Sequence, residues 1–489
     1  MDNSPDLRIL FDSPYPLVLV ETKDEGRLLE MIRAEAERRT TPVWLWSSAS
    51  GLARDGFDPQ YETQNPRTAL AFVADTSGSG VFVFADAHSA LMDPVVVRAV
   101  KEAAHTAGPG RTIVLTAPSY KIPPELEGIA VAWKHQPPNE DELTSLVART
   151  ISRLGTRGIP VTLDTAAERS LVASLKGATM AEAERLIQQA VLDDGRLGPN
   201  DIGFVRHQKF AALGSDGVLE LVESEQRTLD DVGGLDGLKK WLRLRGSTVG
   251  SDRAAALGID APRGVLLTGV PGCGKSFVSK TLAGTWGLPL LLLDPARLYR
   301  KFVGESEQRL ESALDTASAM APAVLWIDEI EKGFASSGEG DGGVSTRVLG
   351  TFLRWLQDRP DGVFVIATAN DVSALPPELL RKGRFDEVFF VDLPGAGARS
   401  AIFKGQLESR GHDPARFDLS KLVELTGGFS GAEIEAIVVG ALYRAFGADE
   451  EPTTEELVAE VESTIPLSVS RAEDVAALRR WADGRAIRA

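Results

Sequence analysis

The sequence predicts an α/β fold in which two mostly parallel sheets are each followed by a helical segment. Two observations carry this expectation. Short runs rich in Val, Leu, Ile and Phe alternate with longer stretches of helical spacing, the order that builds strand–helix–strand units. The same succession of strands and small motifs then occurs twice along the 489 residues.

In the first third, strands are expected at 17–20, 43–46, 81–85, 112–116 and 130–133. A helix is expected over 24–38, where acids open the segment, arginines close it, and Leu28, Leu29 and Ile32 lie at helical spacing. From 140 to about 194 the pattern is almost wholly helical. The second series places strands at 265–267, 290–293, 323–327, 363–367 and 388–391, with helices from 400 to about 446. Asp86 and Asp328 each end an apolar strand, 242 residues apart. Two Pro-Pro-Glu-Leu segments beginning at Pro123 and Pro376 are 253 apart, and the Gly177 and Gly428 motifs, each with two downstream glutamates, are 251 apart. Near-constant offsets in one order argue for two copies of one module.

The expected divisions are an α/β module at 1–139, a helical lid-like segment at 140–205, a polar linker at 206–227, a second α/β domain at 228–396, and a helical lid with C-terminal segment at 397–489. Glycines crowd 333–345, a flexible loop, and the acidic stretch 448–456 reads as solvated. Residues 472–485 have helical spacing and are expected to pack on the lid.

Composition sets bounds on function. Apolar types at 43% and charged types at 25% describe a globular chain with ample core. The net charge of −17 disfavours nucleic acid and anionic lipid as partners. Cys273 is the single cysteine, which excludes an intrachain disulfide and a thiolate cluster from one chain. No signal peptide opens the sequence and no apolar run reaches membrane-spanning length, so a cytoplasmic place without membrane is expected.

Chemistry enters at Gly269, Val270, Pro271, Gly272, Cys273, Gly274, Lys275 and Ser276, which follow an apolar strand and open a helix carrying Phe277, Val278, Leu282 and Ala283. Glycines let backbone N–H groups turn around phosphate oxygens, and a helix start favours the anion. Lys275 suits the β and γ phosphates of ATP, and the Ser276 hydroxyl suits Mg2+. This is a phosphate-binding loop in its strand–loop–helix setting, and it predicts a P-loop NTPase sheet.

Binding alone does not hydrolyse. At the end of the strand 323–327, Asp328 would hold Mg2+ through water and Glu329 would polarise the attacking water. The next strand in the series ends at Asn370, an amide that would orient the same water.

These elements identify the segment from about 228 to 446 as resembling the AAA ATPase family of the AAA+ superfamily. Asp230, Asp231, Val232, Gly233 and Gly234 resemble the family's adenine-contacting entry segment, which makes Asp231, Val232 and Gly233 nucleotide-binding residues by resemblance. Residues 297–307 resemble its first pore loop, with Phe302 and Val303 at the gripping positions, and 378–386 its second region of homology. Gly431 and Ala432 lie in a segment similar to the lid element that closes on the nucleotide. The whole layout resembles the hypothetical chloroplast reading-frame AAA group of plastids and bacteria. The resemblance implies that Arg381 and Arg384 are arginine fingers for a neighbouring subunit's ATP, and that the chain forms a homo-oligomer, a hexameric ring in the family. Phe302 is either a substrate-gripping aromatic or a core anchor.

The first module departs from this pattern. Glu21, Thr22, Lys23, Asp24 and Glu25 occupy the loop position, without glycines and with three acids where phosphates would sit. Ala87 follows Asp86, so the water-activating acid is expected to be missing, and no arginine pair follows Leu126. A degenerate AAA-like module is expected; an unrelated α/β adaptor is the competing reading. For the whole chain, ATP-driven remodelling or threading of a protein partner competes with a nucleotide-gated assembly factor that hydrolyses slowly. Cys273 is either a redox-sensitive thiol or a small loop filler.

Overall fold

The computed structural model describes residues 11, 15–107, 110–120, 122–214, 217–222, 227–249, 252–298, 305–334, 344–359, 362–381 and 383–489. The chain forms two compact units, Met1–Leu163 with Leu175–Leu197, and Asp164–Ser174 with Gly198–Ala489.

The first unit holds strands β1 (Leu17–Glu21), β2 (Val43–Ser47), β3 (Gly51–Arg54), β4 (Gly80–Phe84), β5 (Arg111–Ala117) and β6 (Ala130–Lys134) in the order β3-β2-β4-β5-β1-β6. Only β3 runs antiparallel, against β2. The five expected strands lie within a residue of their observed bounds; β1 and β4, buried on both faces, stand out as unbroken apolar runs. Alternate residues feed two cores: Val18 and Val20 meet Leu28, Ile32 and Ala36 of α1 (Glu25–Arg39), while Leu17 and Leu19 meet α2 (Pro66–Asp75) and α3 (Pro94–Thr106). The helices α4 (Glu140–Thr156) and α6 (Met180–Asp194) complete this unit, while α5 (Thr165–Leu175), between them in sequence, belongs to the second except for its last residue.

In the second unit come α7 (Asp201–Leu213), β7 (Leu219–Val222), α8 (Asp236–Gly246), β8 (Gly264–Gly269), α9 (Lys275–Trp286), β9 (Leu290–Leu293), α10 (Glu305–Ala319), β10 (Ala323–Ile327), α11 (Val344–Asp358), β11 (Val363–Ala369), β12 (Glu387–Val391) and, at the end of the chain, β13 (Ile487–Arg488). The sheet order is β13-β12-β8-β11-β10-β9-β7, with β7 antiparallel to β9. Residues 206–227 therefore do more than connect: they hold the end of α7 and an edge strand. The sheet order β12-β8-β11-β10-β9 matches β6-β1-β5-β4-β2 of the first unit, so the two sheets share one topology.

The lid consists of α12 (Ala396–Glu408), α13 (Leu419–Leu425), α14 (Gly431–Ala448) and α15 (Thr454–Ser463) around Phe403, Leu422, Ile434, Ile437 and Leu457. The last helix, α16 (Ala472–Ala482), corrects the expectation that it packs on the lid. Leu478 and Trp481 lie against the core beneath the sheet, Arg479 makes a two-pronged ion pair with Asp392, and β13 extends the sheet beside β12. Its apolar face finds the larger buried surface. No helix of the described residues is long and apolar enough to cross a membrane.

Candidate active site

β8 delivers its loop at a place only glycine fits. Gly269 has φ +134, and a Cβ there would lie 2.1 Å from the Val391 carbonyl oxygen. Gly272 and Gly274 also hold positive φ, Val270 is buried and donates its N–H to Val391, and Gly274 caps α9. Lys275 is buried, and its ammonium donates to the Gly269 and Val270 carbonyls at 2.9 and 3.0 Å, folded back along the loop. Burial pulls that ammonium down to about 8, with Glu331, Asp328 and Glu329 among the acids opposing the shift. Phe277 turns towards the core, under the Arg227 guanidinium.

β10 and β11 end beside this loop. Asp328 Oδ1 accepts from the Ser276 hydroxyl at 3.0 Å and from Thr368 Oγ1 at 2.6 Å. Glu329 donates its N–H to Thr368 Oγ1 and sits at φ +48, a left-handed conformation that costs on the order of 1 kcal/mol outside glycine and is kept where the surroundings enforce it. Asn370 Nδ2 donates to Glu329 Oε1 at 2.9 Å, and Lys332 pairs with the other carboxylate oxygen.

The entry segment and lid close over the loop. Val232 is buried, and Gly233 and Gly234 lie so close to Ala398 that a Cβ on either would come within 3.0 Å of it. Asp231 spends its carboxylate on the Thr228 N–H as a cap and is itself exposed. The first turn of α14 rests on the loop: Ala432 donates its N–H to the Gly272 carbonyl at 2.9 Å. Burial pushes the Cys273 thiol up to about 12, which makes a neutral filler the better of its two readings.

Arg381 and Arg384 are not gathered into this cluster. The turn that carries Arg384 is tied to the start of β8, where Asp386 Oδ2 accepts from Arg263 and Gly264. The phosphate loop leaves the other end of that strand, roughly 20 Å away at 3.3 Å per residue over six residues. Arg381 is exposed, and Arg384 keeps one guanidinium nitrogen buried without a partner among the described residues. Phe302 and Val303 lie outside the described residues.

Two site residues escaped sequence reasoning. Thr368 bridges Asp328 and the Glu329 backbone, a role set by strand register. Glu331, 9% exposed, accepts the Asn370 N–H at 2.9 Å on Oε1 and leaves Oε2 buried without a partner among the described residues. Its signal in the sequence was an acid three residues after Asp328, too common to read alone.

Register also corrects the first module. Phe84 pairs with Leu115 as Ile327 pairs with Ala367, and the N–H groups of Ala87 and Ile330 bond to the Thr116 and Thr368 carbonyls. Asp86, at φ +49, is thus the counterpart of Glu329, and Ala85 that of Asp328. The acid lost from the first module is the counterpart of Asp328, and the one kept is the counterpart of Glu329. Glu25, at the position of Lys275, accepts from Thr116 Oγ1 at 3.1 Å; burial raises its carboxyl, with Asp86 adding to the rise.

Comparison with known proteins agrees with this architecture. The family model for the ATPase family associated with various cellular activities (AAA) matches residues 265–393, and that for the AAA+ lid domain matches 416–458. Models of the SpoVK-like AAA ATPase N-terminal domain and second domain match 4–135 and 141–216. The AAA domain-containing protein ycf46 of Trieres chinensis is 32% identical over 494 residues, covering 100% of this chain and 98% of that protein. The ycf46 protein of Guillardia theta is 33% identical over 489 residues, covering 99% and 95%. Shorter similarity, 37% over 218 residues, links 43% of the chain to 33% of the ATP-dependent zinc metalloprotease FtsH 1 of Thermomicrobium roseum. With relatives of this kind along its whole length, and SpoVK-like domains ahead of its AAA and lid domains, the chain belongs to the AAA ATPase family.

Proposed function

We propose that the second unit binds and hydrolyses ATP with Mg2+, and that copies of the chain form a closed ring, six in the family, that remodels a protein partner. The observation that carries this reading is the hydrogen bond from Asn370 to Glu329 beside the Ser276–Asp328–Thr368 cluster. Oxygen donors from a hydroxyl and a carboxylate fit Mg2+, so Ser276 and Asp328 would hold it, the latter through water. Mg2+ supplies charge neutralisation at the phosphates.

Lys275 would exchange its two carbonyl partners for phosphate oxygens, a gain for a buried cation. The N–H groups of the loop and of the α14 start would cradle and cover the anion. Glu329 takes the proton of the attacking water, and Asn370 keeps the accepting carboxylate aimed. Arg381 and Arg384, which make no bond to their own loop among the described residues, would serve a neighbour's site, and a head-to-tail contact of that kind gives a ring where its rotation closes and a filament where it does not. Threading would fall to Phe302 and Val303.

A slower, switch-like use of ATP is favoured by the Lys332–Glu329 ion pair, which occupies the base at rest. The single free thiol, half-buried at Cys273, suits a cytoplasmic setting. ATP turnover by the purified chain, with and without Glu329→Gln and with a candidate partner, tests the proposal. Turnover that persists in Glu329→Gln rejects the assignment of the base, and partner unfolding that survives Phe302→Ala rejects threading. A rise of about threefold in Lys332→Ala favours the switch.

A further inference from the structure

Residues 22–27 stand in the first unit where the phosphate loop stands in the second. Val20 pairs with Thr116 as Leu267 pairs with Thr368, and each strand leads through a loop into a helix, α1 or α9. The connecting residues Thr22, Lys23 and Asp24 include no glycine, and α1 opens on Glu25 where α9 opens on Lys275. What the stretch grips is the helical segment of its own unit.

Asp24 Oδ2 accepts the Met180 N–H at 2.9 Å, in the first turn of α6, while Asp24 also caps α1. Arg27, 6% exposed, donates to the two carboxylate oxygens of Glu142 at 3.0 and 2.8 Å, in the first turn of α4. It also donates to the Gln136 carbonyl at 2.8 Å, and Thr22 Oγ1 lies 2.9 Å from His135 Nδ1 on the chain leading into α4.

The second unit makes the corresponding junction with weaker groups. α6 and α14 both open on a capping box, Thr179 with Glu182 and Ser430 with Glu433. Under α14 the Ala432 N–H meets a neutral carbonyl, that of Gly272, so the partial positive charge of that helix start stays available to an anion. Under α6 the same place is taken by a carboxylate, a charge-assisted contact about twice as strong as a neutral one.

We propose that Asp24 and Arg27 are a built-in substitute for a bound nucleotide, holding the helical segment of the first unit closed on its sheet at all times, so that only the second unit responds to ATP. The first module then serves as a fixed body rather than a second motor.

Amide hydrogen exchange of the full chain, with and without saturating ATP, tests this. In the wild type ATP slows exchange at 269–276 and leaves α4 and α6 within about twofold. Asp24→Ala speeds exchange in the first turn of α6 by about tenfold and leaves α14 unchanged, and Asp24→Asn, which keeps an acceptor without the charge, speeds it about threefold. Arg27→Met does the same in the first turn of α4. ATP-dependent slowing in α4 or α6 of the wild type overturns the proposal, as does exchange in α6 within twofold of wild type in both Asp24 variants. Slowing at 269–276 reports ATP binding separately, so failure of the second site is not confused with failure of the lock.

Discussion

Asn370 donates its side-chain amide to Glu329 across 2.9 Å, although the two residues lie just past the ends of different strands and 41 positions apart. The bond fixes one carboxylate oxygen of Glu329, the proposed base, on a backbone that is itself held in a left-handed conformation. Removing the amide lets the carboxylate turn towards Lys332, so Asn370→Ala should lower kcat by about 10²-fold while ATP affinity changes less than about threefold. Parallel turnover and nucleotide-binding measurements check this; equal losses in both would make Asn370 a binding residue instead.

Glu331 acts one step further back. It holds the Asn370 N–H, and a glutamine would hold it as well. Glu331→Ala should therefore cut kcat by about 10- to 100-fold with ATP affinity kept, and Glu331→Gln should recover most of the loss. In an Asn370→Ala background the further cost of Glu331→Ala should shrink to about twofold, since residues acting through one contact are not additive. Independent costs would mean that Glu331 has a separate role.

The parts of this chain legible in its sequence are those whose identity is local. Buried strands such as Leu290–Leu293 and Ala323–Ile327 declare themselves as apolar runs, and the loop from Gly269 to Ser276 carries its chemistry in consecutive residues. Edge strand β7 did not, because Leu219–Val222 includes Glu220 and owes its order to pairing with β9. Nor did the partners of Thr368 and Glu331, which exist only once β10 and β11 lie side by side. The offset between Asp86 and Asp328 misled by one residue for the same reason: two apolar strands ending in Asp look alike until register shows which residue follows the last pair.

Glu25 offers a pH test of the first module. Burial, then its proximity to Asp86, raises its carboxyl in the folded state, against the opposing bond from Thr116. An acid whose folded value exceeds its unfolded value binds more protons when folded, so the ionised form carries a penalty above the folded value that is absent below the unfolded one. Glu25→Gln should stabilise the first module at pH 7 by up to about 1 kcal/mol, a modest figure because the side chain is half-exposed to screening. The gain should fade as pH falls towards 4.5, and thermal melts of both proteins across that range would show it. A gain that does not vary with pH would trace to packing rather than charge.

The turn that carries Arg384 is tied to the start of β8 while the phosphate loop leaves its end, and neither Arg381 nor Arg384 bonds to a residue of that loop among the described residues. Chains carrying Arg381→Ala and Arg384→Ala should bind ATP with near wild-type affinity and turn it over at least about 10²-fold more slowly, because an arginine supplied in trans acts on the charge built up in the transition state. Lys275→Ala chains should fail at the earlier step of binding. Mixed one to one, the two inactive populations would place intact phosphate loops beside intact arginines at some contacts, and turnover should recover to roughly a quarter of wild type if subunits mix at random. A mixture that stays as inactive as its components would remove the arginines from the neighbour's site and with them the catalytic reason for a ring.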